Sequence, residues 1–329
     1  MYEEIVVADP EVRERSTSEE IPVAPLQFSR RTSPEIVVAS PNLQQPWDRY
    51  VNRHPDFTHC HRWFWKNVIE NAFGHPTRYL VALESGRICG VLPLVWQKSL
   101  LFGSFVTSMP FLNAGGALAD SVEIERQLAH RAVSLAQQSD AKYLQLRYRS
   151  RYQLSFPAAT HKVATVRAVT SDIDAMWKSL DPKNRRKVNK AIKSGLSANP
   201  EGASALDDFY SLYAMNMRNL GTPVYGKEFF SEIVRAFPND IEIIMVRRGV
   251  QPIASAFLFS YRDVMEAAWG CSDWKYLSLQ PNMLLYWTML KVAGERGYNL
   301  LDFGRSTKGS GPHKFKQLWD TQDVQELYR

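Results

Sequence analysis

The residues best equipped for chemistry lie near the end of this 329-residue chain. They form the run Leu301-Asp302-Phe303-Gly304-Arg305-Ser306-Thr307-Lys308-Gly309-Ser310-Gly311-Pro312-His313-Lys314-Phe315-Lys316. A strand ending at Phe303 would open into a loop of glycines, cations and hydroxyls, with a short amphipathic helix after it. Glycine lets backbone N–H groups turn toward one point, and the cations add charge there. Such equipment suits an anion, or a carbonyl oxygen that becomes one during acyl transfer. The run is not a Walker A loop, because Gly309-Ser310 stands where Gly-Lys-Ser/Thr is required. An ordinary Gly/Ser turn remains the bland reading.

A second candidate is Lys183-Asn184-Arg185-Arg186-Lys187-Val188-Asn189-Lys190-Ala191-Ile192-Lys193, with six positive charges and no acid between Asp181 and Glu201. The whole chain nets +6, so the excess charge sits here. Asp181-Pro182 predicts an N-cap and first-turn proline, and Gly195 a stop. Val188 and Ile192, four apart, would dock one face and leave Arg186, Lys190 and Lys193 as a cationic stripe. This is either a solvated face or an anion site for substrate phosphates or nucleic acid.

Other chemistries find little support. His54, His59 and His61 lie close together without a second ligand group at metal spacing, so surface or capping histidines are expected and no metal. No nucleophile elbow is present. Cys60, Cys89 and Cys271 are odd in number and far apart, which excludes a disulfide framework and points to a reducing compartment, most simply the cytoplasm. No apolar run approaches the ~20 residues of a membrane span. With 45% apolar and 12% aromatic residues, a sizeable core is expected.

The elements that must position these residues form an α/β (α+β) pattern. Residues 1–34 read as a flexible tail rich in charge, Ser and Pro. The first half then predicts a strand at 36–38, a helix over 61–73, strands over 79–83 and 88–96 joined at Ser85-Gly86, a loop over 108–116, a helix over 122–138 and a strand over 143–146. The second half predicts helices over 206–220 and 228–237, strands over 241–246, 253–260 and 264–271, a helix over 282–296 and a strand over 300–303. Helix, hairpin, strand, helix, strand thus occurs twice. A duplicated unit follows, with domains over 35–165 and 166–329, each a mixed central sheet flanked by helices.

Three segments, Arg218-Asn219-Leu220-Gly221-Thr222-Pro223-Val224-Tyr225, Gln280-Pro281-Asn282-Met283-Leu284-Leu285-Tyr286-Trp287, and Asp302-Phe303-Gly304-Arg305-Ser306 through Lys314-Phe315-Lys316, resemble the FemAB family of acyltransferases. The likeness is strongest to members associated with bacterial exosortase (PEP-CTERM) and exopolysaccharide loci. Phe73-Gly74-His75, Leu92-Pro93-Leu94 and Ser108-Met109-Pro110-Phe111 with Gly115-Gly116 extend it into the first half, so that it covers about residues 35–329.

The resemblance implies two GNAT-like domains in tandem. Members that modify peptidoglycan precursors take an aminoacyl group from charged tRNA and join it to an amine of a nucleotide- or lipid-linked precursor. GNAT domains more broadly use acyl-CoA, whose thioester enters a V-shaped gap between two splayed strands. A Lys of the Lys-Phe-Lys segment, here Lys314 or Lys316, would stabilise the developing negative charge. The chain lacks the helical-hairpin arm of some tRNA-using members, and His313 stands where Tyr is common.

The expected activity is therefore N-acyl or aminoacyl transfer to an amine of a cell-envelope, peptidoglycan or exopolysaccharide-related acceptor. No permanently bound cofactor is implied; acyl-CoA or aminoacyl-tRNA is the co-substrate, with tRNA and a membrane-linked precursor as candidate partners. Asp302 is a candidate proton acceptor, or else a strand-end carboxylate pairing with Arg305 or capping a loop. Arg305, Ser306, Asn282, Tyr225 and Arg218 are expected to bind substrate, Arg305 through its planar fork. Arg185, Arg186 and Lys190 would hold a polyanionic portion of donor or acceptor. The alternatives are a non-catalytic nucleic-acid-binding protein using the same basic helix, and a scaffold in polysaccharide assembly.

Overall fold

The computed structural model describes residues 33–99, 103–149 and 157–328, so the expected N-terminal tail lies outside the described residues but for its last two positions. In chain order the first half contains strand β1 (Glu35–Val38), helices α1 (Gln44–Arg53) and α2 (Trp65–Phe73), and strands β2 (Leu80–Glu84), β3 (Arg87–Leu92), β4 (Val95–Ser99), β5 (Gly103–Thr107) and β6 (Leu118–Ala119). Helix α3 (Val122–Gln138) and strands β7 (Leu144–Gln145) and β8 (Arg147–Arg149) follow. The second half contains β9 (Ala159–Ala168), α4 (Ile173–Ser179), α5 (Pro182–Lys193), β10 (Leu196–Pro200), α6 (Leu206–Asn219), α7 (Lys227–Ala236), β11 (Ile241–Arg248), β12 (Gln251–Tyr261) and β13 (Val264–Ser272). It closes with α8 (Pro281–Glu295), β14 (Leu300–Thr307), α9 (Gly311–Gln317) and β15 (Gln322–Tyr328).

Several boundaries follow from local chemistry. Ser121 accepts a hydrogen bond from the Ile124 N–H, and Glu123 and Glu125 sit in the first turn of α3, where the helix dipole favours acids. Asp181 caps α5 ahead of Pro182. The strand expected over 88–96 breaks at Pro93-Leu94, and the helix expected from His61 begins at Trp65, after a tight turn over His59–His61. Beyond the expected end of its strand at Phe303, β14 continues to Thr307.

The strands form three sheets, ordered β1-β2-β3-β6, β4-β5-β7 and β10-β11-β12-β13-β14-β9-β15-β8. In the last, β13 and β14 are parallel neighbours joined through α8, and the other pairings are antiparallel. The boundary expected near residue 165 falls inside β9, and β8 of the first half closes one edge of this sheet. Apolar packing also crosses between the halves. Trp47, Trp65 and Tyr79 belong to the same buried cluster as Phe209, Phe229, Phe230, Phe257 and Phe259. A second cluster lies between the large sheet and α5 and α8, and a third beneath α3.

Candidate active site

β13 and β14 pair only from Val264–Glu266 to Leu300–Asp302, although both strands run on for several residues. Two irregularities cause the separation. β13 shifts register against β12 next to Ala267, and β14 shifts register against β9 between Asp302 and Arg305. Bulges bend strands in this way and recur beside functional sites. At the second shift Gly304 takes φ +73°, and a Cβ there would lie 2.6 Å from the Ala267 carbonyl oxygen. Only glycine permits both that backbone angle and that approach.

The gap between the parting strands opens into a cavity of about 610 Å³. Its walls come from β13 (Ala267, Trp269), β14 (Gly304, Arg305, Ser306), α8 (Asn282, Tyr286), α9 (Phe315, Lys316) and the loop after α6 (Thr222, Tyr225). The first half contributes Phe111 and Asn113.

Lys316 is 6% exposed. Its Nζ donates to the carbonyls of Gly304 at 2.7 Å and Arg305 at 3.2 Å. Burial lowers its pKa to about 8, against the pull of Asp302, Glu326 and Glu266 and with the help of the Arg305 charge. Ser306 is buried, and its Oγ has no hydrogen-bond partner among the described residues. Asn282 donates to the Ser272 hydroxyl at 3.4 Å, and Tyr225 is half-buried.

Behind the strand junction lies a buried charge cluster that the sequence did not reveal. The Arg149 guanidinium sits 2.7 Å from Asp302 and 3.7 Å from both Glu266 and Glu326, and it donates to the Tyr261 hydroxyl. His59 lies 3.5 Å from Glu266, which also accepts from the Asn113 amide. Burial opposes ionisation of Glu266, but His59 and Arg149 hold its pKa at about 2. Burial raises Glu326 to about 7. Burial disfavours charge on His59, yet Cys60 and Glu266 raise its pKa to about 10, which favours the protonated imidazole beside Glu266.

These placements revise several expectations. Asp302 is fully buried, pairs with Arg149 rather than Arg305, accepts from the Gly304 N–H, and does not line the cavity. Lys314 is exposed and Lys316 inward, because successive alternate residues of α9 lie on different faces. Arg218 is exposed and outside the cavity wall. On α5, Val188 and Ala191 dock, while Ile192 is 51% exposed. Arg186 and Lys190 are exposed, Arg185 is half-buried, and none lines the cavity. His59 and His61 are buried rather than at the surface, His61 in a capping box with Thr58. Arg149 carried no signal, because its strand β8 is short, lies at the sheet edge and has its partners far away in sequence, and Glu326 meets it only through sheet pairing.

The profile of the acetyltransferase (GNAT) domain matches residues 182–317, the segment that holds both parting strands and Lys316. Comparison with curated protein sequences gives no match. Among solved structures the chain is similar to FemX, a FemAB-family protein, at a TM-score of 0.64 and 16% identity, over 89% of this chain and 96% of FemX. A tandem GNAT protein from the clavulanic acid biosynthesis pathway gives 0.59 and 10% identity, over 90% of this chain and 98% of that one. The C-terminal domain of a putative lysylphosphatidylglycerol synthetase from Agrobacterium fabrum gives 0.58 and 11%, over 87% and 91%. The fold is thus the tandem GNAT fold, shared across almost the whole of each relative.

Proposed function

We propose that the protein transfers an acyl or aminoacyl group from an activated donor to an amine, with the reacting carbonyl in the gap between β13 and β14. The observation that carries this reading is the coincidence of that gap with a buried lysine inside the matched domain. A tetrahedral oxyanion needs a donor about 2.7–3.1 Å away in a water-poor site. We assign that donor to Lys316 in its ammonium form, and to Arg305 the binding of a carboxylate or phosphate of either substrate.

FemX and the lysylphosphatidylglycerol synthetase domain support an aminoacyl donor, and the tandem GNAT relative, whose structure is described as without AcCoA, supports acyl-CoA. A cell-envelope or exopolysaccharide precursor bearing an amine is the acceptor we favour, in line with the FemAB-like motifs. No helix among the described residues is long and apolar enough to cross a membrane, so contact with a lipid-linked precursor would be peripheral. The exposed Arg186 and Lys190 would receive phosphates of a donor extending beyond the cavity. Their helix is tied to the end of α9 by the bond from Asn184 to the Leu318 carbonyl.

The test is turnover with acyl-CoAs and aminoacyl-tRNAs against amine acceptors, with Lys316→Ala in parallel. Loss of turnover in a folded Lys316→Ala variant is expected. Undiminished turnover would remove the gap from the mechanism.

A further inference from the structure

An amine that attacks a carbonyl must lose a proton, and the cavity wall holds no carboxylate and no imidazole among the described residues. Its polar side chains are amides, hydroxyls, the Cys271 thiol, and the two cations Arg305 and Lys316. Burial pushes the thiol and the phenols of Tyr213, Tyr225 and Tyr286 up, so these stay protonated near neutral pH. The acids nearby are turned away from the cavity. Asp302 is engaged by Arg149 and the Gly304 N–H, and Glu266 by His59, Arg149 and Asn113.

We infer that Lys316 enters the reaction as a neutral amine, accepts the proton of the attacking nitrogen, and passes it to the leaving atom. The inference rests on the acyl-transfer reading and deepens it. A neutral lysine has two N–H bonds and one lone pair. The carbonyls of Gly304 and Arg305 take up both N–H bonds, which leaves the lone pair for the cavity. The groups facing Lys316 are Asp302 and Arg305 on β14, Glu326 on β15 and Glu266 on β13, with Arg149 on β8 among the same acids. Their balance with burial leaves the amine basic to about 8, near the operating pH, where a general base works best.

The step balances. The acceptor enters as a neutral amine, because a wall with the Arg305 cation and no acid among the described residues disfavours its ammonium form. Its lone pair forms the C–N bond while the carbonyl π pair moves to oxygen. The nitrogen then gives one proton to Lys316, which becomes an ammonium beside the new oxyanion. When the C=O bond reforms, the leaving oxygen or sulfur departs with its bonding pair and takes that proton, and Lys316 is neutral again.

Two measurements test this. In ε-13C-lysine NMR titrations, one lysine should titrate near pH 8 and be missing from Lys316→Met; if every lysine titrates near the usual value of 10.5, the inference is overturned. In kinetics, kcat/KM of the wild type should rise with pH to a plateau above about 8. Lys316→Arg, charged at all these pH values, should lose about 100-fold or more. Lys316→Cys alkylated with 2-bromoethylamine, with treated wild type as control, should recover activity with the pH limb moved lower, since the thioether makes that amine less basic. Near-full activity in Lys316→Arg, or an unmoved limb in the alkylated variant, would make Lys316 a fixed cation and overturn the inference. A wild type inert toward every donor and amine would overturn acyl transfer itself, and this proposal with it.

Discussion

Two parallel strand pairs, each bridged by a crossover that contains a helix, occupy corresponding places in the two halves, and they end differently. In the first half β5 and β7 pair at Val106–Leu144 and Thr107–Gln145. Beyond them the chain closes its own gap. The Ser108 N–H bonds the Gln145 carbonyl, the Ser108 hydroxyl accepts from the Arg147 N–H, and the Arg147 guanidinium donates to the carbonyls of Met109 and Leu112. The Tyr148 ring lies where any side chain at Gly116 would go. A cavity of about 100 Å³ is left beside this plug, against about 610 Å³ between β13 and β14. One arrangement thus yields a brace or a reaction chamber, depending on whether a loop fills the fork. The bracing loop also lends Phe111 and Asn113 to the chamber of the other half.

The sharpest way to break this contrast is to remove the cation from each fork. Lys316→Met should cut kcat/KM by about 100- to 1,000-fold with the fold retained. Arg147→Met should leave chemistry nearly intact but lower unfolding stability by about 1–3 kcal/mol, since two carbonyls lose their donor. Circular dichroism and urea titration beside the activity assay would separate the two. Equal catalytic losses would end the distinction.

Next in size is Gly304→Ala. It forces a side chain into the left-handed region and against the Ala267 carbonyl, and should cost about 1–3 kcal/mol together with most of the turnover.

A pH effect sharpens the comparison further. Folded Lys316 releases its proton near pH 8, and the unfolded chain near 10.5. Between those values the unfolded state binds more protons, so stability should rise with pH across that window. Urea midpoints should show the rise in the wild type and not in Lys316→Met. Smallest of all, Lys314→Ala should change neither turnover nor stability beyond about 0.5 kcal/mol, its side chain being exposed.

Much of the frame was legible because amphipathic periods and caps are local. Helix α3 spans the residues its apolar spacing predicts, and the strands expected over 241–246 and 253–260 lie within β11 and β12. The burial of Lys316 beside Gly304 was half legible: the glycine-cation run marked the place, but which lysine faces inward depends on how α9 docks. The Arg149 cluster was not legible at all. Arg149 is more than a hundred residues from each of its three acids, and sheet pairing brings them together. Ile192 failed for a related reason, since helical spacing fixes which residues share a face but not which face a neighbour covers.

The placement of Arg149 bears on how such a chain can be cut or recombined. The guanidinium belongs to the first half, while Asp302, Glu266 and Glu326 belong to the second. A fragment starting after β8 would keep three acids in a dry interior and lose the guanidinium that lies against all three. The second half is therefore no portable module, and any exchange between homologous chains must carry β8 along with β13, β14 and β15 to keep these acids paired.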